Sequence, residues 1–252
     1  MKKKLLSLVL VAAMALAAVA CGSKEEAPAE TSDKEVLVMA TNAEFPPYEF
    51  YEGQEIVGID AEIAAAVAEK LGCELKIEDM AFDSIIAAVD SGKADIGLAG
   101  MTVTEDRLAS VNFSDTYATA TQVVIVTEDS AITGVADLEG KKVGVQLGTT
   151  GDIYAGDIAD ATIERYNKGF EAVQALTQGK IDAVIIDNEP AKVFVAENEG
   201  TKILEEDFAV EEYAAAIAKD NTELLEKVNT ALAELTEDGT LQAIVDKYIS
   251  AE

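Results

Sequence analysis

No histidine occurs among the 252 residues, and no tryptophan. The missing histidine removes the usual general base at neutral pH, the Ser-His-Asp arrangement and most zinc sites. Cysteine is nearly absent too, with only Cys21 and Cys73. With Cys21 modified, no intramolecular disulfide is left, and Cys73 reads as a buried small residue at a helix-to-strand junction. Positive charge is scarce: 19 Lys and Arg stand against 48 Asp and Glu, a formal charge of −29. That balance argues against nucleic acid and an anionic membrane surface as partners, and favours attraction of cations by steering. Neither GxSxG nor GxxxxGK[ST] is present, and no residue pattern asks for a cofactor or a metal. The one long apolar run, Leu5–Val19, is short of the roughly 20 residues that a membrane span needs.

What is present begins with that run. Three lysines precede it and small residues follow it up to Cys21, the pattern of a secretory signal. Leu16-Ala-Ala-Val-Ala20 directly before Cys21 resembles the bacterial lipobox, which implies cleavage before Cys21 and a lipid on its thiol. Losing the three leader lysines would take the formal charge from −29 to −32. The stretch after Cys21 is polar, without apolar periodicity, and reads as a flexible tether. The expected layout is a signal over 1–20, a lipidated tether over 21–34 and a globular part beyond. Apolar residues make up 49% of the chain, which excludes wholesale disorder.

The globular part is organised around Ala94–Arg107, ADIGLAGMTVTEDR. Ala94–Ala99 reads as a short buried strand that stops at Gly100. Thr104 followed by Glu105 and Asp106 reads as a helix N-cap with an acidic first turn. Arg107 then falls in that first turn, where a cation opposes the helix dipole. A bound carboxylate would explain it, gripped bidentately by the guanidinium; pairing with Glu105, Asp106 or Asp115 would explain it equally well.

The flanking chain alternates strand and helix, as parallel pairing with crossover helices requires. Glu35–Thr41 is a strand leading to the loop Asn42–Tyr48, whose Pro46 and Pro47 forbid helix and ladder. Phe45, Tyr48, Phe50 and Tyr51 read as exposed aromatics around it, and Ile56–Ile59 as a return to the core. Ala61–Leu71 and Phe82–Asp90 read as helices either side of a strand at Glu74–Asp79. Val111–Tyr117 reads as turn-rich and Ala118–Thr127 as a β-run crossing into a second lobe. Asp137–Lys142 reads as a short helix and turn. Lys142–Gln146 runs into Leu147-Gly-Thr-Thr-Gly151 and a helix near Asp152–Ile158, an anion-binding layout of low specificity. Pro190–Asn198 reads as a helix, Lys202–Leu204 as a strand and Tyr213–Ala218 as a strand crossing back. Helices at Thr222–Glu237 and Thr240–Tyr248 close the chain. One unit occurs twice: Ile86–Asp95 matches Val173–Asp182, each a helix, Gly-Lys, any residue and Asp, followed by an apolar strand. Two lobes of similar α/β build follow from it, with ligand expected at strand ends in the cleft they share.

At this point GIDAEIAAAVAEKL (Gly58–Leu71), AGMTVTEDR with FSDTY, VGVQLGTTG and DAVIIDN stand in one order. Together they resemble the polar amino-acid family of ABC-transporter solute-binding proteins, over essentially the whole chain beyond the tether. The resemblance implies a type II periplasmic-binding-protein fold of class α/β, with a two-segment hinge. Lobe one would be 35–119 with 213–252, and lobe two 120–212. It implies that Arg107, with the backbone N–H groups of Thr102 and Thr150, clamps an α-carboxylate. Asp187, the Gly100 carbonyl and the Thr102 hydroxyl would take the α-ammonium, while Phe45 and Phe82 flank the side chain. Asn42, Glu44, Gln146 and Thr149 complete the implied ligand set. TATQVVIVT and GVQLGTTG look most like arginine binders, with Glu44 as a partner for a basic side chain. Glutamine, cystine or another polar amino acid stays open, as does a dehydratase using Glu44 or Asp187 as acid. The expected protein is a monomer on the outer face of the cytoplasmic membrane or in the periplasm, held by lipid at Cys21. It would have no cofactor and deliver a free amino acid to permease subunits.

Overall fold

Alternating β-runs and amphipathic helices are realised over residues 35–249, the part that the computed structural model describes. The expected signal, Cys21 and the tether lie outside the described residues. Strand β1 (Val36–Thr41) enters the core, and a small antiparallel sheet follows, made of β2 (Glu44–Phe45), β3 (Glu49–Glu52) and β4 (Glu55–Val57). Ile56 and Val57 are half-buried there, and the chain regains the core only at Ile59. Helix α1 (Ile59–Leu71) starts two residues earlier than its apolar spacing suggests. Gly58 allows this: its φ is 122°, and a Cβ there would lie 2.2 Å from the Tyr48 carbonyl oxygen, an approach open only to glycine. The N–H groups of Ile59 and Asp60 then donate to the carbonyls of Pro47 and Tyr48. That tie folds the proline loop inward, so Phe45 and Tyr48 are buried, not exposed as expected, and pack towards Tyr213.

Strand β5 (Glu74–Asp79) is followed by a 3₁₀ turn at Phe82–Ser84, helix α2 (Ile85–Asp90) and the two-residue strand β6 (Ile96–Gly97). Helix α3 (Glu105–Ser110) is capped as expected: the Thr104 hydroxyl accepts the Arg107 N–H at 3.2 Å. Strand β7 (Val111–Thr127) then runs for 17 residues, including Val111–Tyr117, which the sequence marks as turn-rich. Its turn-forming side chains are used sideways: Ser114 Oγ accepts the Ala215 N–H at 2.9 Å, and Asn112 donates to the Lys219 carbonyl at 3.1 Å. Tertiary pairing overrides local preference here. The second half contains a 3₁₀ turn at Val135–Leu138, β8 (Lys142–Gln146), α4 (Thr150–Gly156), β9 (Thr162–Tyr166) and α5 (Gly169–Thr177). It continues with β10 (Ala183–Asp187), α6 (Asn188–Glu197), β11 (Thr201–Ile203) and β12 (Ala209–Ala218), then α7 (Thr222–Glu237) and α8 (Thr240–Tyr248).

The main sheet runs β5-β1-β6-β12-β7-β10-β8-β9, with β11 beside β7. β5, β1 and β6 are parallel, as are β10, β8 and β9. β12 and β7 are antiparallel and join the two parallel halves, from Val111↔Ala218 to Gln122↔Ala209. Cys73 precedes edge strand β5 and is only half-buried, because no strand covers that side.

The repeated Gly-Lys-x-Asp unit has a mechanical explanation. Gly92 and Gly179 end α2 and the turn after α5 with φ of 71° and 66°, which lets the chain reverse into a strand. Asp95 N–H donates to the Val38 carbonyl at 2.8 Å and its Oδ2 accepts the Val38 N–H at 2.8 Å. Asp182 does the same to Lys142, both at 2.8 Å. Each aspartate thus fixes where one parallel strand pair begins. A hydrogen bond to a charged group contributes about 1.5–3 kcal/mol, less where water competes. Asp95→Ala, half-buried, is expected to cost about 2 kcal/mol and exposed Asp182→Ala about 1 kcal/mol or less, read by urea denaturation.

Candidate functional site

The strands of both halves end towards one narrow crevice. Asn42 follows β1, Gly100 and Thr102 follow β6, Gln146 ends β8, and Asp187 ends β10 and precedes α6. Thr149 caps α4, its hydroxyl accepting the Asp152 N–H, and Thr150 opens that helix. Phe45, Phe82 and Arg107 complete the expected part of the lining, and Glu49 and Ala99 join it unannounced. Glu44 alone of the expected set is left out of the lining, and instead pairs with Lys168 across the two halves.

Thr102 shows how backbone register prepares the site. It faces Tyr213 in an isolated antiparallel bridge, flanked by Ala214 N–H to Met101 O and Val103 N–H to Glu212 O. In such a wide pair the residue's own N–H and carbonyl point away from the partner strand. The Thr102 carbonyl accordingly meets Arg107 Nη1 at 2.6 Å. Gly100 has a φ of 52°, and a Cβ there would sit 3.0 Å from the Phe45 ring. Its N–H donates to Asp60 Oδ2 at 2.8 Å.

Arg107 is 9% exposed and forms no ion pair with Glu105, Asp106 or Asp115. Its Nη2 donates to the Gly148 carbonyl at 3.1 Å, and its guanidinium lies 5.3 Å from the Phe82 ring centroid. Burial lowers its pKa from the ordinary arginine value, while Glu211 and Asp187 nearby raise it. The misplaced first-turn cation therefore faces the crevice with its carbonyl partners, not a local carboxylate.

Acidic groups are concentrated opposite. Burial pushes the Asp187 carboxyl up to about 7; the Tyr213 hydroxyl bonded to it opposes the rise and the Glu211 charge adds to it. Asp60 is pushed up to about 6 by burial, against the hydrogen bonds of Gly100, Tyr117 and Glu49. Glu49 is raised well above the carboxylate range by burial first and then by Asp60. Both Glu49 oxygens and Asp60 Oδ1 lack other partners among the described residues; one proton held between the two carboxyls pairs Asp60 Oδ1 with one Glu49 oxygen and leaves the second Glu49 oxygen without a partner.

Two further groups stand behind the lining. Gln122 and Glu211, 1% and 4% exposed, come from β7 and β12 and contact Thr102 and Thr150. Glu49 and Glu211 are not among the residues expected from the sequence. For Glu211 a signal existed: it shares strand parity with Tyr213, Ala215 and Ile217, and an acid in the inward register is unusual. Glu49 carries no comparable mark, since its burial depends on the α1 tie.

The family described as bacterial extracellular solute-binding proteins, family 3, matches residues 37–251. The arginine-binding extracellular protein ArtP of Bacillus subtilis (strain 168) is 36% identical over 255 residues, 99% of each chain. An ancestral arginine-binding protein solved with arginine superposes with a TM-score of 0.83 at 41% identity, covering 86% of this chain and 100% of its own. An ancestral arginine-binding protein bound to glutamine gives 0.83 and 41%, covering 86% and 99%.

Proposed function

The chain belongs to the bacterial extracellular solute-binding proteins, family 3, and from that membership we propose that it captures an extracellular basic amino acid, arginine or lysine, for an ABC importer. The observation that carries the reading is the pairing of Arg107 and Asp187. They come from opposite halves of the sheet and line one crevice. A zwitterion needs one cationic and one anionic clamp, and closing two lobes brings such clamps together. Arg107 with the N–H groups of Thr102 and Thr150 holds the α-carboxylate. Asp187, the Gly100 carbonyl and the Thr102 hydroxyl hold the ammonium, and Phe45 and Phe82 flank the side chain. Asn42, Gln146 and Thr149 line the far wall. Relatives named for binding arginine, at 36% and 41% identity, support a basic side chain as the ligand's third feature.

The lobes in this reading are 35–119 with 213–252, and 120–212, the crossing strands β7 and β12 acting as the hinge. The protein acts as a monomer, by binding and release and not by turnover. Cleavage before Cys21 leaves a lipid anchor there, the tether holds the domain off the membrane, and permease subunits receive the amino acid. Among the described residues no helix is long and apolar enough to cross a membrane.

Calorimetric titration of the purified protein with arginine, lysine, histidine, glutamine, glutamate and cystine tests the proposal. Arginine or lysine is expected to bind tightest. The relative bound to glutamine makes glutamine the second reading, and a tighter glutamine isotherm would select it. No heat from any of the six would end the binding-protein reading.

A further inference from the structure

The Glu211 carboxylate sits where both halves and both crossing strands meet. Its Oε2 accepts from the Thr102 hydroxyl at 2.9 Å, the Thr150 hydroxyl at 3.0 Å and Gln122 Nε2 at 3.1 Å. Thr102 is 6% exposed, Thr150 3% and Gln122 1%, so water cannot easily replace any of these bonds. Tyr154 lies close by, its hydroxyl pushed up to about 12 by burial and then by Glu211.

A threonine hydroxyl has one proton to donate and two lone pairs to offer. With an all-acceptor carboxylate behind it, the proton is committed and only lone pairs remain for the crevice. We propose that Glu211 is a positioning residue: it fixes the hydrogen-bond polarity of Thr102 and Thr150 so that both hydroxyls face a ligand as acceptors, which favours ligands bearing an ammonium group. This rests on the reading that the Thr102 hydroxyl meets the ligand ammonium. It adds a cause for that role and gives buried Glu211 a part in selectivity. An apolar residue at 211 would let ammonium binding strand the Thr102 proton without a partner, and a buried unpaired donor is costly.

The test compares two neutral replacements of similar length. Glu211→Gln and Glu211→Met both remove the charge, but only glutamine keeps an acceptor oxygen. Each is titrated with arginine and with its deaminated analogue 5-guanidinopentanoate, beside the unaltered protein. The methionine variant is expected to bind arginine about tenfold more weakly than the glutamine variant, a difference of about 1.4 kcal/mol. For the analogue the two variants should agree within about twofold. A methionine-to-glutamine ratio that is equal for both ligands, or no difference with arginine, would overturn the proposal and leave Glu211 a packing residue. Should the methionine variant lack a cooperative thermal melt, Glu211→Leu takes its place. If the unaltered protein binds arginine no better than the analogue, the ammonium reading itself has failed, and the proposal with it.

Discussion

Arg107→Ala is expected to weaken amino-acid binding about a thousandfold, roughly 4 kcal/mol. Truncating one side of a buried, hydrogen-bonded charge pair typically costs about 2–5 kcal/mol, and Arg107 is the single cation in the lining. Arg107→Lys should recover only a small part, because an ammonium cannot reproduce the planar fork that grips a carboxylate. Thermal stability should move little. A first-turn cation works against the dipole of α3, which offsets the two hydrogen bonds to Thr102 and Gly148 that the variant loses. Titration calorimetry beside a melting curve separates the two effects. Affinity retained within tenfold would place the ligand elsewhere.

The second large effect concerns Asp187 and carries a pH signature. Burial holds its carboxyl at about 7, and an ammonium binds the ionised form. Below pH 7 a proton must leave before the ammonium can settle, so affinity should fall about tenfold per pH unit. Above pH 7 that dependence should flatten. Asp187→Asn should weaken amino acids about a hundredfold, leave deaminated analogues nearly unchanged and abolish the slope. A slope that survives in the asparagine variant would transfer the titration to Asp60, at about 6. On stability the same shift acts in the opposite sense. Between the ordinary value of 3.8 and about 7, the folded chain binds more protons than the unfolded one. Its contribution to stability therefore declines as pH rises through that window.

The parts of this molecule that could be read from sequence are those where local chemistry and tertiary role coincide. The Gly-Lys-x-Asp units announced themselves twice, because each glycine and aspartate performs the same local task at a strand start. Arg107 was legible through a local misfit, a cation where a helix dipole disfavours one. Ten of the eleven expected site residues line one crevice, because strand ends, glycines and caps mark where parallel strands terminate. Elsewhere the determinants are distant. Phe45 and Tyr48 are buried by carbonyls that the start of α1 captures, and Val111–Tyr117 is held extended by β12 and by Asn229 bonding the Asp115 N–H. Glu44 was expected in the lining, but Lys168, 124 residues away, draws it to the rim. None of these pairings has a trace within a few residues of the group concerned.

Among the bonds that join the two halves of the described residues across the cleft are Gln146 to Asn42, Arg107 to the Gly148 carbonyl, and Lys168 to Glu44. For an occupant that breaks any of them, affinity is an exchange, the new contacts less those surrendered. Natural selection then has a second set of handles. Strengthening or loosening the rim pair would retune how avidly the protein scavenges without altering a residue that discriminates one nutrient from another. Lineages facing rich and poor media could diverge at the rim while the lining stays as it is.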